Sequence, residues 1–106
     1  MAVALLMEWP DVTQEHYLEV MQDLQLDTNP PIGLLFHVIG SMKGGLRIVD
    51  VWESAEAFHT FSEQRIAPAL QKAGISSQPR VEIYPAFNIY VPATSTIGSL
   101  GASSMP

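Results

Sequence analysis

Two short β-rich runs separated by a glycine-rich turn set the frame for the whole chain. Gly33 to Ile39 and Leu46 to Trp52 are dense in β-branched and aromatic residues, the composition of strands. Between them lies Gly40-Ser41-Met42-Lys43-Gly44-Gly45, where glycines permit the positive φ that a reversal needs. A connection this short makes the runs antiparallel neighbours. Side chains alternate across a strand. With Ile39 opposite Leu46, one face therefore carries Leu35, His37, Ile39, Leu46, Ile48, Asp50 and Trp52. The other carries Leu34, Phe36, Val38, Val49 and Val51, with Arg47 at its rim. A register shift that keeps this facing would instead put His37 directly opposite Asp50. The almost purely apolar second face is expected to pack against helices. The first, with its imidazole, carboxylate and indole, is expected to form the open side that meets a second subunit or a small molecule.

The flanking sequence supplies the other elements. Val3 to Trp9 reads as a strand ended by Pro10. Thr13 is an N-cap candidate for a helix to about Leu26, with Tyr17, Val20, Met21 and Leu24 on one stripe. Asp27 to Pro31 is a loop by composition. Ser54 caps a second helix whose inner stripe is Ala57, Phe58, Phe61 and Arg65. Pro68 starts a separate turn that Gly74 closes. Arg80 to about Tyr90 is the last strand. Val81 and Ile83 lie on one of its faces and Glu82 and Tyr84 on the other, and Pro85 marks an edge or a bulge. Residues 1–91 thus form one domain. Residues 92–106, PATSTIGSLGASSMP, have the composition of a flexible C-terminal tail.

The order β-α-β-β-α-β predicts an α+β, ferredoxin-like arrangement, a four-stranded antiparallel sheet with helices on one face. An open sheet face on a chain of 106 residues predicts a homodimer formed through that face. A net charge of −6 and a pI near 4.7 point away from nucleic acid and anionic membranes. The absence of cysteine removes disulfides and thiolate chemistry and suits a cytoplasmic location. The apolar run in MAVALLMEW falls far short of a membrane span and lacks the basic flank of a signal peptide.

IVDVWESAEAFHTF, a strand ending in Trp followed by Glu-Ser and by Glu-Ala-Phe on a helix, resembles the dimeric α/β-barrel superfamily. Within it the chain is similar to the antibiotic-biosynthesis-monooxygenase-like group, as are Arg65-Ile66-Ala67-Pro68-Ala69-Leu70 and the opening MEWPDVTQEHY. The resemblance covers roughly residues 3–90. It implies a dimeric α/β barrel and, among its members, cofactor-independent oxygenases of aromatic polyketides, polyketide cyclases and haem-degrading enzymes. In several members the Trp at the position of Trp52 lines the pocket. The haem-degrading members carry an Asn on the first strand and an axial His on the helix after the Trp. Here strand one has no Asn, and the only His on that helix is His59, expected on its outer side, so no haem is expected.

The candidate site follows. His37 is the acid/base candidate, because imidazole titrates near neutrality. Asp50 would orient it or take a proton itself. Trp52, Ile48, Phe58, Tyr84 and Arg65 are the candidate substrate contacts. The three histidines lack ligand spacing, so no metal is expected, and no phosphate-loop, dinucleotide or G-x-S-x-G motif is present. The expectation is a protein that binds a small apolar or aromatic molecule, acting without a cofactor as a monooxygenase or cyclase. The alternative is a non-catalytic ligand-binding or interaction module on the same fold.

Overall fold

The computed structural model describes residues 1–92; the tail expected over 92–106 lies, beyond Pro92, outside the described residues. The elements run β1 (Val3–Pro10), α1 (Gln14–Leu24), β2 (Leu34–Met42), β3 (Gly45–Trp52), α2 (Ala55–Phe61), α3 (Ala67–Lys72) and β4 (Arg80–Pro85). A π-helical segment, Ser62–Ile66, joins α2 to α3. The strands form one antiparallel sheet in the order β2-β3-β1-β4, the ferredoxin-like arrangement expected from the element order. No helix among the described residues is long and apolar enough to cross a membrane.

Local chemistry accounts for the boundaries. Thr13 caps α1 by accepting from the His16 N–H at 3.1 Å, and the His16 ring accepts from the Thr13 N–H in return. Ser54 caps α2 by accepting from the Ala57 N–H at 3.0 Å. The β2–β3 hairpin reverses at Lys43-Gly44, with Met42 paired to Gly45 and Gly44 at φ +81°. The strands are therefore longer than expected and the turn is shorter. Pro68 stands in the first turn of α3, as expected, but no break precedes it: the chain stays helical from α2 through the π segment into α3. Gly74, at φ +75°, follows the end of α3.

Gly45 is required for a packing reason. A β-carbon there would fall on the Trp9 carbonyl oxygen and within 3.0 Å of the Pro10 Cα. Both are backbone atoms of the paired strand and cannot swing aside. Gly45→Ala should therefore destabilise the fold by about 1–3 kcal/mol, the usual range for overpacking. A urea midpoint unchanged from the parent would show that the β1–β3 pairing there is looser than described.

The facing of the sheet is the reverse of the expectation. Trp52 is 1% exposed and Asp50 7%, and Trp52 packs against Phe58 edge-on and against Phe61, with ring centroids 5.7 and 5.5 Å apart. The mixed face therefore lies beneath the helices, joined by Val3, Leu5, Met7 and Trp9 of β1. The apolar stripe faces away, with Val38 at 48% and Val49 at 38% exposure. The physical reason is that the polar groups of the mixed face satisfy one another, so burying them costs little. A β-bulge between Leu34 and Phe36 adds a local correction. It leaves Leu35 exposed and brings Leu34 opposite Trp52 on the helix side.

Candidate functional site

The inner face of the sheet and the helices enclose a cavity of about 590 Å³, within the range of roughly 300–1,000 Å³ for small-molecule sites. Met7, Ile48 and Trp52 contribute from the sheet, Tyr17 and Met21 from α1, and Phe58 and Phe61 from α2. Val81 and Ile83 of β4, with the segment 75–79, border it on the side the helices leave open. Trp9 Nε1 donates to Ser77 Oγ at 3.0 Å, which holds that segment to β1.

A hydrogen-bonded chain of four side chains runs along one wall. The pairing is the register in which His37 lies directly opposite Asp50. His37 Nδ1 is 2.6 Å from Asp50 Oδ1. Trp52 Nε1 donates to Asp50 Oδ2 at 3.1 Å. Beyond the imidazole, the Tyr17 hydroxyl lies 3.1 Å from His37 Nε2, with the two rings within 13° of parallel. Each carboxylate oxygen of Asp50 thus accepts one bond, and no buried side-chain nitrogen or oxygen among the described residues lacks a partner. Burial, and secondarily the Asp50 charge, push the Tyr17 phenol above its ordinary value of 10.0.

The phenol's folded value is raised, so its contribution to stability is complete below the unfolded value of 10.0 and is lost as pH climbs through the folded one. The melting temperature should fall as pH rises above about 10, and Tyr17→Phe should weaken that fall. The Asp23 carboxylate, hydrogen-bonded to Lys72, holds that ammonium above its usual range and acts in the same direction. The difference between parent and variant is therefore the quantity to read, and equal slopes would contradict the assignment.

The expected site residues separate into two groups. His37, Asp50, Trp52, Ile48 and Phe58 converge on the cavity. Tyr84 does not: it pairs with Ala4 on the outward face and is 55% exposed, while Val81 and Ile83 take the cavity side of β4. Arg65 does not reach Asp50 or the cavity either. Its guanidinium donates to the carbonyls of Leu24 and Asn29, at 2.9 and 2.7 Å, and lies 5.2 Å from the Phe61 ring centroid. A regular helix would put Arg65 inward, four residues after Phe61. The extra residue in the π turn passes that place to Ile66, which lines the cavity. His59 is exposed, as expected, but its ring lies against Phe58 at the cavity rim. Tyr17 is the functional candidate the sequence did not single out. It stood on the inward stripe of α1, and only the folded sheet shows which acceptor its hydroxyl meets.

No protein-family profile matches the chain, and no curated protein matches it by sequence. Solved structures do match by shape. A mutant of SnoaB, a cofactor-independent oxygenase from Streptomyces nogalater, superposes with a TM-score of 0.60 at 13% identity, over 83% of this chain and 95% of that one. Rv0793 from Mycobacterium tuberculosis gives 0.64 at 10% identity, over 86% and 100%. A Caulobacter crescentus protein provisionally assigned as an antibiotic biosynthesis monooxygenase gives 0.63 at 16% identity, over 82% and 91%. The chain thus shares the ferredoxin-like α+β fold of antibiotic biosynthesis monooxygenase-like proteins.

Proposed function

We propose that this chain binds a small, largely apolar or aromatic molecule in the cavity and removes a proton from it, opening an oxygenation or cyclisation that needs no metal or flavin. The observation that carries this reading is the His37–Asp50 pair, 2.6 Å apart at the wall of an apolar cavity. The carboxylate accepts the Nδ1–H and so leaves Nε2 as the basic nitrogen. The imidazolium formed when a proton arrives there is stabilised by the carboxylate beside it. Met7, Ile48, Trp52 and Phe58 give the site apolar walls, against which the charges of the pair act more strongly than in water.

A CH2 group flanked by aromatic rings and conjugated through them to a carbonyl, as in an anthrone, would lose its proton to give an electron-rich enolate. That anion reduces dioxygen directly, forming a C–O bond and a peroxide that takes up a proton. Loss of water then leaves a new carbonyl, so one oxygen atom ends in product and one in water. In a cyclisation the same anion attacks a carbonyl within the substrate. The oxygenase activity of SnoaB favours the first course. A cysteine-free chain suits such chemistry in the cytoplasm.

The outward sheet face, with Phe36, Val38, Val49 and Val51, would pair two copies into a barrel. Sedimentation should show a dimer that Val49→Asp dissociates, and a monomeric parent would refute the pairing.

Dithranol, a dihydroxylated anthrone, tests the reaction. In deuterated buffer without oxygen, the protein should accelerate exchange of its methylene hydrogens. His37→Gln should slow that exchange by about 10²–10⁴-fold, the usual contribution of a positioned base. Binding without accelerated exchange would replace this reading with that of a non-catalytic binding protein.

A further inference from the structure

Both ring nitrogens of His37 are engaged, Nδ1 by Asp50 at 2.6 Å and Nε2 by the Tyr17 hydroxyl at 3.1 Å. Nothing in the cavity can reach Nε2 without displacing the phenol, and Tyr17 itself lines the cavity. We propose that Tyr17 Oη is the atom that takes the proton from the substrate, with His37 accepting Tyr17's own proton in the same step, and that the substrate is a neutral C–H or O–H acid. This rests on the proton-removal reading above and names the group through which it works.

The direction of the hydrogen bonds decides the roles. Asp50 accepts from Trp52 Nε1 through one oxygen and from His37 Nδ1 through the other. A carboxylate has no hydrogen to give, so in the neutral imidazole that acts as the base the hydrogen sits on Nδ1 and Nε2 is a bare acceptor. The Tyr17 O–H therefore donates to Nε2, and its remaining lone pairs are free to accept from the cavity side. Burial and the Asp50 charge keep the phenol protonated at rest, so it holds the hydrogen that the relay must move. In the step, the substrate C–H or O–H bond breaks as a new Oη–H bond forms. The original Oη–H breaks as Nε2–H forms. The products are a substrate anion, an unchanged tyrosine and an imidazolium beside the Asp50 carboxylate. The near-parallel packing of the two rings holds this path in line.

The charge of the wall sets the substrate class. Among the described residues lining the cavity there is no Lys or Arg, and Asp50 is the only carboxylate. The chain as a whole carries −6. A ligand bearing its own carboxylate or phosphate would meet the Asp50 charge and no Lys or Arg, with His59 alone at the rim to offset it. A neutral molecule becomes anionic only as its proton leaves, when the imidazolium is already there to balance it.

The test uses the dithranol exchange assay with the parent, Tyr17→Phe and His37→Gln. The expected result is that Tyr17→Phe binds dithranol within about 3-fold of the parent but exchanges it about 10²-fold or more slowly. A carboxylated anthrone should not bind. Exchange by Tyr17→Phe at the parental rate, with His37→Gln still slow, would overturn the relay while leaving proton removal by His37 intact. No exchange by the parent would sink both. Tight binding of the carboxylated anthrone would overturn the neutral-acid assignment. Should Tyr17→Phe fail to fold or bind, biosynthetic replacement of tyrosine by the more acidic fluorotyrosine takes its place. A pH profile of exchange that shifts with fluorotyrosine supports the relay, and one that does not move overturns it.

Discussion

Trp52→Ala should lower stability by about 3–5 kcal/mol, the range for emptying a buried aromatic site. The melting temperature should fall by tens of degrees, at roughly 4–8 °C per kcal/mol for a domain of this size. Trp52 is 1% exposed and touches both Phe58 and Phe61, so its removal leaves a void at the centre of the core. Its loss also removes the Nε1–H that donates to Asp50 Oδ2, leaving one oxygen of a buried carboxylate without a partner. Trp52→Phe keeps most of the packing and loses only that bond, so it should cost about 1–3 kcal/mol. The two variants together separate packing from hydrogen bonding. Thermal denaturation of Trp52→Ala within a few degrees of the parent would mean that the mixed face is not beneath the helices.

Asp50→Asn should abolish most catalysis while leaving a folded protein. An amide at this position has one acceptor oxygen where the carboxylate has two. It can accept from Trp52 Nε1–H while its NH2 donates to a His37 Nδ1 whose hydrogen has moved to Nε2, which removes the base, or it can accept from His37 Nδ1–H and leave the indole N–H facing its NH2. The stability cost should be about 1–3 kcal/mol for the donor left unmet. The effect on proton removal should be larger, because the imidazolium loses the negative charge that stabilises it, and about 10²–10⁴ in rate should go. Anthrone binding should change far less, since Met7, Ile48 and Phe58 still form the walls. Circular dichroism together with dithranol exchange reads both effects. A variant that loses the fold and the activity in proportion would show that Asp50 serves stability alone.

Much of the architecture was legible in the residues because it depends on local rules. Thr13 and Ser54 announce helix starts, Pro10 ends β1, and Gly74 follows α3. Alternation sorted His37, Ile48, Asp50 and Trp52 onto one side of the hairpin, and the pairing of His37 with Asp50 was one of two registers that this sorting allowed. What alternation cannot say is which side the helices cover. His37, Asp50 and Trp52 look too polar for a core when taken singly. They are buried because they bind one another and Tyr17, a property of the set that no single position displays. Tyr17 itself read as one more apolar position on the α1 stripe. Arg65 was misplaced because a regular helical period was carried through the π segment, where five residues rather than four separate the inward positions Phe61 and Ile66. Tyr84 was misplaced through the same inversion of faces: its side of β4 is the outward one.

On the proposed reading, a small molecule meets this protein at the polar wall beneath the helices and not at the outward stripe. Intermolecular nuclear Overhauser effects from bound dithranol test it most directly. Contacts are expected from the anthrone ring hydrogens to the Tyr17 ring and to the methyl groups of Met7 and Ile48, with none to Val38 or Val49. Contacts to Val38 and Val49, with Tyr17 silent, would contradict it.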